Sequence, residues 1–311
     1  MATSMATSLN PRARSLPGLA TATGDDILVR LLATARPLVR GVLNVTPDSF
    51  SDGGHFLDPE TAIAQASRLA AEGADILDIG GESTRPGKRK PLGIQEEIDR
   101  VLPVLEGVLR HRPESILSID TYKSATAAAA LHAGAQIVND VSGFSWDEAI
   151  ARVCAAAGCG VVLMHLRGRP GQWEELPEPL VSLVNQELQQ RLEQAQQAGI
   201  GRERIVLDPG IGFGKAFDRN YFLLAGLEEF SRLGQPLLAG VSRKAFLGRT
   251  LAPLNHGVDA PVERRGTASL AAVTAAILAG AHLVRVHDVR PAREAAAIAD
   301  AVLLAAGSYS A

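Results

Sequence analysis

The chain has 311 residues, 46% of them hydrophobic and 21% charged. That composition can bury a large core and excludes a disordered or low-complexity protein. Its 31 basic and 34 acidic residues leave a formal charge of −3. No Lys/Arg block breaks that balance, so there is no electrostatic footprint for nucleic acid or an anionic membrane, and any anion site must be local. Two cysteines, Cys154 and Cys159, are too few for a disulfide framework and lack the C-x-x-C spacing of redox or zinc modules. Both read as buried thiols in a reducing, cytoplasmic setting.

In chain order, residues 1–24 are small, polar and free of acidic groups, which gives them nothing to bury. They lack the basic start and apolar stretch of a signal peptide. Their Ser/Arg content matches a transit peptide loosely, and a dispensable tail or an alternative start at Met5 is the simpler reading. Residues 1–36 are taken as a flexible tail and lead-in, and 37–311 as one domain.

From there one unit recurs, an apolar run whose last residues turn polar before a loop and a helical stretch. The eight endings are VRGVLN at Asn44, ADILDIG with Asp78, SILSID at Asp120, QIVND with Asn139 and Asp140, GVVLMH at His165, RIVLD at Asp208, PLLAGVS at Ser242, and HLVRVHD with Arg285, His287 and Asp288. Helical patterns cover Thr61 to Glu72, Ala125 to Ala133, Val181 to Ala198 and Thr267 to Ala279, each closed by a glycine. The apolar stretch Thr267 to Val284 contains Ser269, Thr274, Gly280 and His282 and breaks into a helix and a strand instead of spanning a membrane. Alternating strands and helices imply parallel pairing, and near-continuous apolar strands imply a sheet buried on both faces. A doubly wound sheet would gather its ligand chemistry at one switch point. Here every strand ends in polar residues, which predicts an α/β fold, a single (β/α)8 TIM barrel with its site at the C-terminal face.

The loops carry the chemistry. NVTPDSFSDGG (Asn44 to Gly54) is too long and polar for a simple connector, and GGESTRPG (Gly80 to Gly87) offers Ser83, Thr84 and Arg85 to an anion. DPGIGFGK (Asp208 to Lys215) fails both the Walker and the dinucleotide patterns. Its glycines instead allow the chain to close around a flat ligand, with Phe213 as an aromatic face. GVSRK and RVHD bring Lys244, Arg285 and His287 to the seventh and eighth strand ends, the usual phosphate-binding pair of such barrels. Asp120, Asn139, Asp208 and the further candidate Asp78 are poor material for a hard-metal cage. They suit a heterocycle rich in N–H donors and ring acceptors. No H-E-x-x-H, cysteine cluster or G-x-S-x-G supports hydrolase chemistry.

Taken in order, NVTPDSFSDGG, GGESTRPG, SIDT, NDVSG, LMH, LDPGIGFGK, SRK and RVHD resemble the dihydropteroate synthase family, from about residue 40 to the C-terminal helix. The resemblance implies a transferase of folate biosynthesis that condenses (7,8-dihydropterin-6-yl)methyl diphosphate with 4-aminobenzoate, assisted by Mg²⁺. It implies that Asp120, Asn139, Asp208 and Lys244 hold the pterin, with Met164 and Phe213 nearby. Arg285, His287 and Asn44 receive the diphosphate, Asn44 being the metal-associated position, and Thr84 and Arg85 line the second loop. Lys244, Arg285 and His287 are the implied catalytic residues, and the implied assembly is a homodimer through the late helices. Three positions depart from the family's usual pattern: Ala245 where a serine is common, the basic LRGRPGQW after His165, and the bulky Tyr122. A pterin-binding methyltransferase would not need a diphosphate clamp, a dead pterin-binding protein would show damaged loops, and an aldolase-type barrel would need a lysine in an apolar pocket.

Overall fold

The computed structural model describes residues 26–46, 58–82, 91–169, 172–173 and 175–309. The apolar runs form β1 (Leu38–Asn44), β2 (Ile76–Gly80), β3 (Leu117–Asp120), β4 (Ile137–Asp140), β5 (Gly160–Met164), β8 (Ile205–Asp208), β9 (Leu238–Ala239) and β10 (Leu283–Val286). A small antiparallel hairpin, β6 (Gly168–Arg169) with β7 (Gln172–Trp173), stands apart from them. The eight long-range strands pair in parallel in the order β8-β5-β4-β3-β2-β1-β10-β9. A parallel bridge from Leu207 to Leu237 brings the two ends of that order together, so the sheet closes into the expected barrel.

Helices fill the crossovers: α2 (Pro59–Ala71), α3 (Ile94–His111), α4 (Ser124–His132), α5 (Ala149–Ala157), α6 (Leu180–Gln197), α7 (Arg219–Ala225), α8 (Ala245–Thr250), α9 (Gly266–Leu278) and α10 (Val289–Tyr309). Those anticipated from apolar spacing differ from the observed ones by a residue or two at their ends, the usual uncertainty of a fraying terminus. Local chemistry sets the starts. Asp58 accepts from the backbone N–H groups of Glu60 and Thr61, both at 3.2 Å, ahead of Pro59 at the first turn of α2.

Part of the lead-in assigned to residues 1–36 falls among the described residues. Ile27–Leu32 forms a helix, α1, capped by Asp26, whose Oδ1 accepts from Leu28 N at 3.0 Å. Arg204 Nε ties the other oxygen of Asp26 at 2.7 Å. Leu28 and Leu31, one turn apart, pack into the inward residues Leu38, Ile76, Ile137, Val162, Val206, Leu238 and Leu283. This short helix closes the N-terminal end of the barrel, because the lowest layer of inward side chains would otherwise face water. Leu28→Ala is expected to destabilise the protein by about 3 kcal/mol through the cavity it leaves. It should lower the denaturant midpoint while leaving ligand affinity at the opposite end unchanged.

Candidate active site

Side chains alternate along a strand, so residues two apart share a face. Starting from the apolar lower layer, steps of two lead from Leu38 to Arg40, Val42 and Asn44, from Ile76 to Asp78, and from Ile137 to Asn139. The same step leads from Val162 to Met164, from Val206 to Asp208, and from Leu283 to Arg285 and His287. Every strand-borne site residue named from the sequence therefore has inward parity. The polar strand residues of opposite parity serve the scaffold. Asp140 accepts from Ser142 N at 2.7 Å and Phe144 N at 2.8 Å to shape its turn. His165 donates from Nε2 to Glu187 of α6 at 2.8 Å, and burial pushes it down to about 4.

Above the apolar layer the interior turns ionic. Arg40, fully buried, donates from Nη2 to Asp78 and to Ser118 Oγ, the latter at 2.5 Å. Asp78, equally buried, accepts from Arg285 Nε at 2.6 Å, and Arg285 Nη2 donates to Asp120 Oδ2 at 2.5 Å. The anticipated anion-binding arginine is thus oriented by two carboxylates, which leave Nη1 as its remaining edge. Asp78 belongs to this interior ladder and not to the ligand-facing rim. Burial raises Asp78, but Arg40 and Arg285 together outweigh it and hold the carboxyl below its usual range. Asp120 is pushed up to about 6, by burial first, with Asp78 adding to the shift and Arg285 opposing it. Sequence reading missed Arg40. Its signal was an arginine at inward parity within the otherwise apolar LVRGVLN run.

At the rim, Asp208 Oδ1 accepts from Gly210 N at 2.7 Å. A Cβ on Gly210, whose φ is +71°, would lie 2.1 Å from His165 O, and one on Gly212, at +84°, would lie 2.7 Å from the Lys244 side chain. These glycines let the loop pass close to both neighbours. Lys215 Nζ donates to the carbonyls of His165 and Gly210, both at 2.9 Å, and so ties together the loops after β5 and β8. Lys244 Nζ sits 3.5 Å from the centre of the Phe213 ring, a cation–π contact. Burial pushes that ammonium down to about 7, the nearby Arg285 adds to the shift, and Asp208 opposes it. Phe213 thereby supports the lysine as well as presenting a ring. Met164, Val141 and Leu166 form an apolar patch on which Trp146, Trp173 and Phe213 pack.

The SRK and RVHD motifs lock to each other. Ser242 Oγ lies 3.1 Å from His287 Nδ1, and Arg243, at a positive φ of 58°, donates from Nε to Asp288 at 3.0 Å. Lys244 then follows into the mouth while Arg243 stays outside. Asn44 is half-buried at the end of β1. Thr84, Arg85 and most of the Asn44 to Gly54 loop lie outside the described residues. Beside the Phe213 loop opens a cavity of about 1020 Å³, lined among others by Trp173, Lys215, Phe217, Ala245 and Arg249.

A profile of the family described as "Pterin binding enzyme" matches residues 40–287. The dihydropteroate synthase of Escherichia coli K12 is 41% identical over 88% of this chain and 94% of its own. Dihydropteroate synthase from Xanthomonas albilineans, solved with 4-aminobenzoic acid, is 42% identical with a TM-score of 0.78, covering 86% of this chain and 93% of its own. The enzyme of the same organism in complex with 7,8-dihydropteroate is 39% identical with a TM-score of 0.75, over 86% and 94%. The chain belongs to the pterin-binding enzymes, among the dihydropteroate synthases.

Against that family's pattern, the three departures acquire local explanations. Tyr122 directs its hydroxyl to Glu82, at 3.2 Å from Oε2, and its ring meets Trp146 edge-on at 4.8 Å. In the basic segment Arg167 pairs with Glu187, and Arg169 stacks over Trp146 at 5.1 Å. Ala245 begins the six-residue α8 beside the cavity.

The raised Asp120 generates two opposite pH dependences. Only an ionised Asp120 can accept a pair of ligand N–H groups, so in the pterin-binding role expected of it, affinity for an unreactive pterin should fall as pH drops through about 6. The unliganded fold holds that proton more tightly than an unfolded chain, whose carboxyl titrates at about 3.9. Its contribution to stability is therefore complete below about 4 and lost as pH rises through about 6. Calorimetric titration and thermal unfolding across this window check both signs, and Asp120→Asn should remove both.

Proposed function

We propose that the protein condenses (7,8-dihydropterin-6-yl)methyl diphosphate with 4-aminobenzoate, releasing 7,8-dihydropteroate and diphosphate. The observation that carries this reading is the convergence of Asp120, Asn139 and Asp208 with Arg285 and Lys244 in one barrel mouth of a chain that is 41% identical to a dihydropteroate synthase. A pterin presents adjacent N–H donors, which carboxylates accept in pairs, and ring acceptors, which an amide or ammonium can meet. The apolar patch around Met164 supports the flat ring.

The carbon–oxygen bond to the diphosphate breaks with its electron pair going to the leaving oxygen, and the cationic methylene carbon is attacked by the amine, which then loses a proton to solvent. Arg285 and His287 stabilise the charge that collects on the departing diphosphate, and preorganised charge at such a point is a large catalytic term. Lys244 holds the pterin with Asp208. Thr84 and Arg85 belong to the second loop, which offers them to an anion. No protein nucleophile is required.

Mg²⁺ fits as an ion carried largely by substrate. Asn44 offers one oxygen, and no group of three His, Cys, Asp or Glu among the described residues is set to hold a metal. Diphosphate oxygens complete the oxygen-rich shell such a cation prefers. When bound it supplies positive charge beside the leaving group. We further propose a homodimer through α9 and α10. Thr267, Ala271 and Ala275 form an exposed stripe on α9, and Ile298 and Val302 of α10 are 67% and 51% exposed. Both substrates are soluble, which supports action in the cytoplasm.

Diphosphate release that depends on 4-aminobenzoate is the deciding assay, and its absence overturns the proposed activity. Arg285→Ala would also strip Asp120 of its arginine and leave Asp78 with Arg40 alone, so Arg285→Lys is the cleaner variant. It should lower kcat about 100-fold while leaving affinity for an unreactive pterin nearly unchanged. Ile298→Asp with Val302→Asp should yield monomers by sedimentation if the late helices pair.

A further inference from the structure

We infer that Arg40 is a positioning residue for the transfer reaction. Acting through Asp78 from inside the barrel, it sets the orientation and the available charge of the Arg285 guanidinium. This rests on the assignment of Arg285 to the diphosphate.

Arg40 lies on β1 in register with Arg285 on β10, and both point inward. Its side chain has no solvent exposure, and Nε and Nη1 have no hydrogen-bond partner among the described residues. Burying a guanidinium with two nitrogens unmatched is costly. The layer directly below is wholly apolar, built from Leu38, Ile76, Leu283 and their neighbours, and an apolar side chain in place of a buried ion pair often stabilises a core. Core stability therefore does not account for a charge at this position.

The connections do. Asp78 gives one oxygen to each arginine: Oδ1 accepts from Arg40 Nη2, and Oδ2 accepts from Arg285 Nε. Held on both sides, its carboxylate plane has no freedom to turn, and it fixes the plane of Arg285, whose Nη2 goes on to Asp120. Ser118 Oγ, on β3, accepts from the same Arg40 nitrogen and pins its reach. Charge follows the same path. With Arg40 present, two guanidinium groups face two carboxylates. Without it, Asp78 and Asp120 share Arg285 alone, draw it inward and offset its charge before a diphosphate arrives.

Arg40→Met keeps the length of the side chain and removes the charge. The expected result is a kcat about tenfold lower, with KM for 4-aminobenzoate unchanged. Arg40→Lys, which restores charge near Asp78, should recover most of the loss. Because Arg40 acts through Asp78, Arg40→Met combined with Asp78→Asn should be no slower than Asp78→Asn alone. That comparison holds even if the single Met variant folds poorly, since the double variant buries no unpaired charge from this pair. A wild-type kcat in Arg40→Met, additive losses in the double variant, or a loss that merely follows the fraction of folded protein would each overturn the inference. Arg285→Lys separates it from the reading beneath it. Full turnover in that variant would remove Arg285 from the reaction, whereas a slow Arg285→Lys beside a fast Arg40→Met would overturn the role of Arg40 alone.

Discussion

A row of alternating charge, Arg40, Asp78, Arg285 and Asp120, crosses the interior of the barrel, and the arrangement of the mouth depends on it. Charges are stable inside a protein only when each meets its opposite with good hydrogen-bond geometry. Four strands, β1, β2, β3 and β10, are tied by that requirement as well as by their backbone ladders. The row rises from an apolar floor, sealed by α1, to a rim where Asp120 joins Asn139 and Asp208. A ligand entering the mouth therefore meets side chains already oriented from beneath.

The period of two along each strand divides the labour. Inward positions bear the ionic row and the rim. Outward ones, such as Asp140 and His165, hold turns and helices in place. Loops extend the division. In SRK, Ser242 and Arg243 lock to His287 and Asp288, which leaves only Lys244 to enter the mouth. Lys215 performs a similar service between the loops after β5 and β8. The chain's nearly balanced charge conceals this concentration of cations at one face.

Fold and family were legible in order and spacing. Eight apolar runs with polar endings have few ways to close, and motifs at all eight ends match one family. The rim residues Asp120, Asn139 and Asp208 were legible for the same reason, since each lies at or next to the end of its strand at inward parity, whereas Met164 followed from the family resemblance. Other features were not. The lead-in gave no sign that Leu28 and Leu31 would seal the barrel floor, because an isolated six-residue helix has no stability without the surface it covers. Nor did spacing show that Arg285 would be held by carboxylates 207 and 165 residues away in the chain.

The sequence by itself determined the repeating unit, the parity of each strand and the chemical types gathered at one end, because these depend on local periodicity and on how far a polar group lies from its strand's apolar core. Only the tertiary structure decided which charges neutralise one another. Parallel pairing sets β10 on one side of β1 and β2 on the other, and the water excluded from the closed barrel then obliges each buried guanidinium and carboxylate to find its partner across the interior.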